Sequence, residues 1–244
     1  MQEIDRIGTL AFKHFLQFLT TYFSIMASGG SKIRMLRLAH VHYQHPDLQK
    51  AHEFLVHFGL EPVEKNETRI YYRGYGKDAY CYLAELSPTG TKFFGGGAFV
   101  VESYDDLEKA SRLPGASLIE KAEGPGGGHC VILKDPNDMA VKLLYGQEEM
   151  DPSMHPSKYR YNTAQEKDRI GDFHRMKPGP TKVHKLGHYG FMMPEDRFEK
   201  TRQWYLDTFN MSLTDTVYNA ETGQDETSFL HIDLGETYVD HHVS

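Results

Sequence analysis

Leu38-Ala39-His40-Val41-His42-Tyr43, followed by Pro46-Asp47, is matched by Leu186-Gly187-His188-Tyr189-Gly190-Phe191, followed by Pro194-Glu195. The two stretches share a histidine, the apolar positions around it, and the offset to a proline and a carboxylate. Two related modules are therefore expected, each opening on a strand that leads into a helix. The second copy runs on to Tyr238-Val239-Asp240-His241-His242-Val243-Ser244, which supplies a further histidine-bearing strand.

Around this repeat the chain has a regular order. The strand Leu36 to Tyr43 leads into a helix opened by Asp47, a good cap, and closed by Gly59, the residue best suited to a left-handed stop. Strands at Ile70 to Arg73 and Ala79 to Ala84 follow, separated by Gly74, Gly76 and Asp78. A second unit repeats strand, helix and strands at Gly97 to Val101, Tyr104 to Leu113, His129 to Leu133 and Met139 to Tyr145. Residues 149–183 lose the apolar period and read as a linker rich in proline and charge. A third unit then runs from the strand His184–Met192 through a helix, Glu195 to Phe209, to strands at Ser228 to Leu234 and Thr237 to Ser244. A fourth unit is expected to be missing, so the third reads as a truncated half-domain. Its uncovered sheet edge would favour a homo-oligomer.

Composition narrows the function. With 39% hydrophobic residues the 244-residue chain can bury a core, and a net charge of −7 without a lysine–arginine block argues against nucleic acid. Cys81 and Cys130 make no disulfide framework, favour a reducing, cytoplasmic setting, and read as buried small hydrophobes. Residues 1–33 form an N-terminal extension. Its apolar stretch at 10–26 is interrupted by Lys13, His14 and Gln17, too short and polar to span a membrane, and lacks the basic start of a signal peptide. Gly124-Pro125-Gly126-Gly127-Gly128 lacks the lysine and following helix of a phosphate cradle.

These motifs resemble the vicinal oxygen chelate superfamily, which includes glyoxalases and bleomycin-resistance proteins, and within it the two-domain extradiol dioxygenases of the catechol 2,3-dioxygenase type. The resemblance implies an α+β fold of paired βαβββ modules. Residues 34–148 would be a complete two-module domain without a metal site, and residues 184–244 one incomplete module of the metal-site domain. It further implies Fe(II) held by two histidines, matching His188 and His242, and by a glutamate of the fourth module for which this sequence has no residue. Because adjacent strand side chains face opposite ways, only one of His241 and His242 shares a cavity with His188. The family pattern selects His242.

The chemistry implied is oxidative cleavage of a catechol-like aromatic by dioxygen, with both ring hydroxyls on a metal that two imidazoles and a carboxylate hold by one face. His231 is a candidate acid or base from the strand before the ligand strand, and Tyr238 and Asp240 are candidates to orient a ligand. Without the glutamate the chain is expected to be inactive. The alternatives are a non-catalytic scaffold or small-molecule-binding protein, and a glyoxalase-like lyase or isomerase, against which Asp240-His241-His242 argues. In the first domain His40 stands where His188 does, but Lys142 fills the glutamate position and cannot bind a cation. His40, His42, His45, His52, His57 and His129 are read as structural.

Overall fold

The first helix shows how local chemistry sets the frame. The Asp47 carboxylate accepts the Lys50 amide at 3.0 Å, and Gly59 ends the helix at a φ of 119°, its N–H shared between the Leu55 and Val56 carbonyls. A side chain at Gly59 would also meet the Thr181 carbonyl oxygen at 1.7 Å. Glycine is therefore required both by backbone angle and by close approach.

The structure is a computed structural model, and it describes residues 31–153, 161–171, 173, 178–236 and 242–244. The expected apolar stretch at 10–26 lies outside the described residues, as do Tyr238, Asp240 and His241. No helix among the described residues is long and apolar enough to cross a membrane. The chain divides into Met1–Lys32 and Ile33–Ser244, and the fold belongs to the second of these.

In that unit the first module comprises β1 (Met35–His45), α1 (Leu48–Phe58), β2 (Glu61–Lys65), β3 (Arg69–Arg73) and β4 (Tyr82–Leu86). The second comprises β5 (Phe93–Val101), α2 (Tyr104–Ser111), β6 (Glu120–Lys121), β7 (His129–Lys134) and β8 (Ala140–Tyr145). Together they form one eight-stranded sheet in the order β2-β3-β4-β1-β5-β8-β7-β6. Each module pairs its first strand in parallel with its last, Val41 with Tyr82 and Gly97 with Val141, and the modules join where β1 meets β5 antiparallel.

The third module has the same order. A single 3₁₀ turn, Glu195–Arg197, leads into α3 (Phe198–Thr208), and β9 (Met211–Tyr218) pairs antiparallel with β10 (Asp225–Ile232). Val243 then sits between the two ends of the module, bridged in parallel to Tyr189 and antiparallel to Leu230. First, last, third and second strand positions follow one another as in the other two modules. The α+β fold of βαβββ units that the resemblance implied is the fold observed.

Local departures have physical causes. Among the described residues the strand expected over His184–Met192 pairs in ladder fashion only at Tyr189, and Val183 and His184 give their carbonyls to Tyr75 and Gly76 in the first module. Strand β4 begins at Tyr82 rather than Ala79. Strands β2 and β9 were not expected: every residue of β2 is exposed, and β9 forms the outer edge of its hairpin with Leu213, Val217 and Tyr218 exposed. Edge strands carry little of the alternating burial that makes a strand readable.

One core unites the three modules. Met35, Phe99, Leu107, Val131, Leu133 and Leu143 pack in the same cluster as Tyr189, Tyr205, Phe209, Met211, Leu230, Ile232 and Val243. The α3 side of the third module is therefore packed against the first domain within the chain. Asn210 stitches the junction. Its side-chain oxygen accepts the Met35 amide at 2.6 Å, its nitrogen donates to the carbonyls of Met35 and Asp233, and its own amide donates to Ile33.

Asn210→Ala would leave the Met35 amide and two carbonyls short of partners, at a cost of about 2 kcal/mol. Urea denaturation should show this as a lower midpoint in a single transition; separate melting of the third module would contradict a shared core. A Cβ on Gly97 would lie 2.4 Å from the Tyr189 ring, so Gly97→Ala is expected to destabilise by about 1–3 kcal/mol through overpacking.

Candidate functional site

The three-residue segment that closes the third module decides where its histidines point. The Tyr189 amide donates to the His242 carbonyl at 3.3 Å, Ser244 N–H to Tyr189 O at 3.2 Å, and Phe191 N–H to Ser244 O at 3.0 Å. Tyr189 and Val243 turn into the core. By strand alternation His188, His242 and Ser244 occupy the opposite face, on backbones about 4.8 Å apart. His188 Nε2 lies 3.0 Å from Ser244 Oγ, and its ring is 6.4 Å from that of Phe229 on β10. His188 is exposed and His242 half-buried.

On β10, Leu230 and Ile232 are buried, so His231 faces the other way, toward the side that carries His188. Its Nδ1 is 2.6 Å from Thr214 Oγ1. The three histidines singled out in the sequence thus share one side of the module, while His231 is engaged by the neighbouring hairpin strand. Ser244 and Thr214, the hydroxyl partners, gave no sign of a role. The only available signal was their position in strands β9 and 242–244, one of which was not anticipated.

The donor chemistry can be tested against the implied metal. His242 Nδ1 accepts the Ile232 amide at 3.1 Å. An imidazole whose Nδ1 accepts carries its proton on Nε2, whereas a metal-ligating imidazole frees one nitrogen by donating from the other. As placed, His242 has the wrong tautomer for ligation through Nε2. Among the described residues no group of three His, Cys, Asp or Glu is arranged to hold a metal ion. Two imidazoles in these bonds do not fit the three-ligand face that Fe(II) chemistry needs.

The first module shows the same backbone with different chemistry. Val41 N–H donates to Cys81 O at 3.2 Å, the counterpart of Tyr189 to His242, so His40 and Cys81 hold the places of His188 and His242. His40 is buried, 3.4 Å from the Tyr80 hydroxyl. Burial first, then Lys142 and His42, push its pKa well below the ordinary histidine value. Lys142 pairs in register with Ala98, itself opposite His40, which puts the ammonium on the row where the glutamate was sought. Burial pushes the Cys81 thiol up to about 12 and raises Cys130 as well, so neither is a ready nucleophile. His42 pairs with Glu85, which also binds Arg69 and Gln44, while His45 and His52 meet the hydroxyls of Tyr82 and Tyr72.

A cavity of about 530 Å³ lies on the α3 side of the third module, lined by Phe191, Met193, Phe198, Tyr205, Leu230 and Val243. At its rim Arg202 binds Asp225 and Glu199. The cavity and His188 occupy opposite faces of the same strands, with Ser244 touching both. This hollow is thus not the histidine site.

No protein-family model and no curated protein matches the chain. Solved structures do. Homoprotocatechuate 2,3-dioxygenase from Brevibacterium fuscum, in its anaerobic complex with 3,4-dihydroxyphenylacetate, aligns over 83% of this chain and 58% of its own at a TM-score of 0.63 and 19% identity. A variant of that enzyme aligns over 88% of this chain and 55% of its own, at a TM-score of 0.66 and 18% identity. The Mn(II)-bound glyoxalase from Novosphingobium aromaticivorans aligns over 81% and 58%, at 0.59 and 15%. The chain spans little more than half the length of each, and at these identities the likeness is one of fold. Three modules with the same strand order, and these neighbours, show that the chain has the fold of these enzymes, built from βαβββ modules.

Proposed function

We propose that this chain belongs to the extradiol ring-cleavage branch of the fold and carries the two-histidine half of its metal centre, His188 and His242, without by itself completing a catalyst. The observation that supports this most is the ladder of the third module, in which Tyr189 N–H binds His242 O and brings the two histidine positions side by side on one face. In the full reading the metal is Fe(II), the substrates are a catechol-like aromatic and dioxygen, the protein is a cytoplasmic homo-oligomer, and His231 handles a proton. When bound, such a metal would supply the site at which both ring hydroxyls and dioxygen are brought together. His188 and His242 would hold it only after His242 moves its proton to Nδ1 and releases the Ile232 amide.

A second reading, a non-catalytic scaffold or small-molecule-binding protein, is favoured by that tautomer and by Lys142 on the corresponding row of the first domain. Turnover separates the two. Purified chain incubated with Fe(II), 3,4-dihydroxyphenylacetate and oxygen is expected to give no yellow ring-opened product above a His188→Ala control. Product formation would show that a carboxylate outside the described residues completes the site, and would overturn inactivity while supporting the family reading.

Metal affinity gives a separate check. Two imidazoles without a carboxylate should prefer Cu(II) or Zn(II) to Fe(II). In competition titrations His188→Ala and His242→Ala should each weaken Cu(II) binding by about 10–100-fold. Equal affinity in wild type and both variants would remove these residues from the site.

A further inference from the structure

The cavity of about 530 Å³ on the α3 side of the third module has a floor and a mouth of different chemistry, and its size falls in the range that holds a small organic molecule. Tyr205, Leu230 and Val243, all buried, form the floor, and Phe191, Met193 and Phe198 add apolar surface. Glu195, Asp225 and Glu226 line the same cavity, while Asp196 and Glu199 join Asp225 around the hollow that adjoins it. Arg202 is the one cation among these lining residues. Carboxylates are therefore in surplus beside an aromatic floor.

The guanidinium is already committed. Arg202 Nη1 donates to Asp225 Oδ2 at 2.6 Å and to Ser228 Oγ at 3.3 Å, and Nη2 donates to Glu199 Oε1 at 2.5 Å. Its carbon lies 5.5 Å from the centroid of the Phe198 ring, so that ring already serves as a surface for a cation. Glu226 Oε1 accepts the Asn219 side-chain amide at 2.9 Å. Each of these carboxylates has a second oxygen able to accept. The positive end of α3 is answered by Glu195, Asp196 and Glu199 in its opening turns. An incoming anion would thus meet a paired cation and unneutralised carboxylates, whereas an incoming cation meets acceptors.

We propose that this cavity binds a small aromatic amine, its ring on the floor of Tyr205, Leu230 and Val243 and its ammonium among Glu195, Asp225 and Glu226 at the mouth. The site goes beyond the metal reading and needs no ion, since His188 lies on the opposite face of the same strands. A neutral ring would gain the floor and leave the surplus charge unanswered. An aromatic acid would gain the same floor against repulsion. Exposed carboxylates contribute little singly, and several around one ammonium supply a preference of about ten-fold.

Trp204, the only tryptophan of the chain, stands edge-on to Tyr205 with ring centroids 5.0 Å apart, so its fluorescence reports on the floor. Phenethylamine, phenethyl alcohol and phenylacetate offer one ring with a cationic, a neutral and an anionic end, and are titrated into the full chain with fluorescence and calorimetry in parallel. The amine is expected to bind saturably, about ten-fold tighter than the alcohol, and to weaken as sodium chloride rises while the alcohol does not. Asp225→Asn should weaken the amine about five-fold and leave the alcohol unchanged. Glu226→Gln, which keeps the Arg202 bonds, should act in the same direction. His188→Ala should alter neither ligand. Equal affinity for all three compounds, tighter binding of phenylacetate, or no saturation by either readout up to about 10 mM would each overturn the proposal. So would an amine affinity unchanged in both carboxylate variants, or one lost in His188→Ala, which would place the ligand on the histidine face.

Discussion

Everything at the candidate site depends on one piece of backbone geometry, the parallel pairing of a module's first strand with its last. Residues more than forty positions apart are brought to the same row by it. In the first module it sets His40 beside Cys81 through the bond from Val41 to Cys81, and in the third it sets His188 beside His242 through the bond from Tyr189 to His242. The frame is the same in both. The side chains placed on it decide whether the row is a buried histidine facing a tyrosine and a lysine, or an exposed imidazole beside a half-buried one.

That pairing would fail if the third module did not have a body to lean on. Tyr189 can turn inward because β5 offers Gly97, whose missing Cβ makes room for the phenol ring, and Phe94 and Phe99 pack around it. Asn210 answers the first backbone groups of β1. The consequence is that His188, on the opposite face from Tyr189, is oriented by packing that belongs largely to the first domain. Positions such as Gly97 and Asn210 are far from any proposed chemistry, yet they determine which way the histidine strand faces.

Much of this was legible in the sequence where a residue type answers a backbone demand. Asp47 and Gly59 marked the ends of α1, and the repeated Leu-x-His-x-x-aromatic pattern marked two equivalent strands. Alternation put only one of His241 and His242 on the face of His188, and the choice of His242 came from the resemblance. Strands β2 and β9 were not legible, because an edge strand such as Glu61-Pro62-Val63-Glu64-Lys65 buries nothing on either side. The packing of the third module onto the first domain was hidden as well: it depends on contacts between residues far apart in the chain, such as Gly97 with Tyr189 and Met35 with Asn210, for which a single sequence carries no periodic signal.

The protonation of His242 was the least legible feature, since its partner is a backbone amide and no side chain announces it. Yet it bears most directly on function. For Nε2 to bind a metal, the Ile232 N–H must lose its acceptor, a cost of about 1–3 kcal/mol, or roughly a 5- to 150-fold reduction in affinity. Ile232 is itself buried in the shared core and paired with Met211, so the amide cannot simply swing toward water. The metal would therefore have to supply that energy through its bonds to imidazole, and nitrogen ligands hold Fe(II) more weakly than Cu(II) or Zn(II). The same ladder that brings the two histidines together thus holds one of them in its non-ligating form.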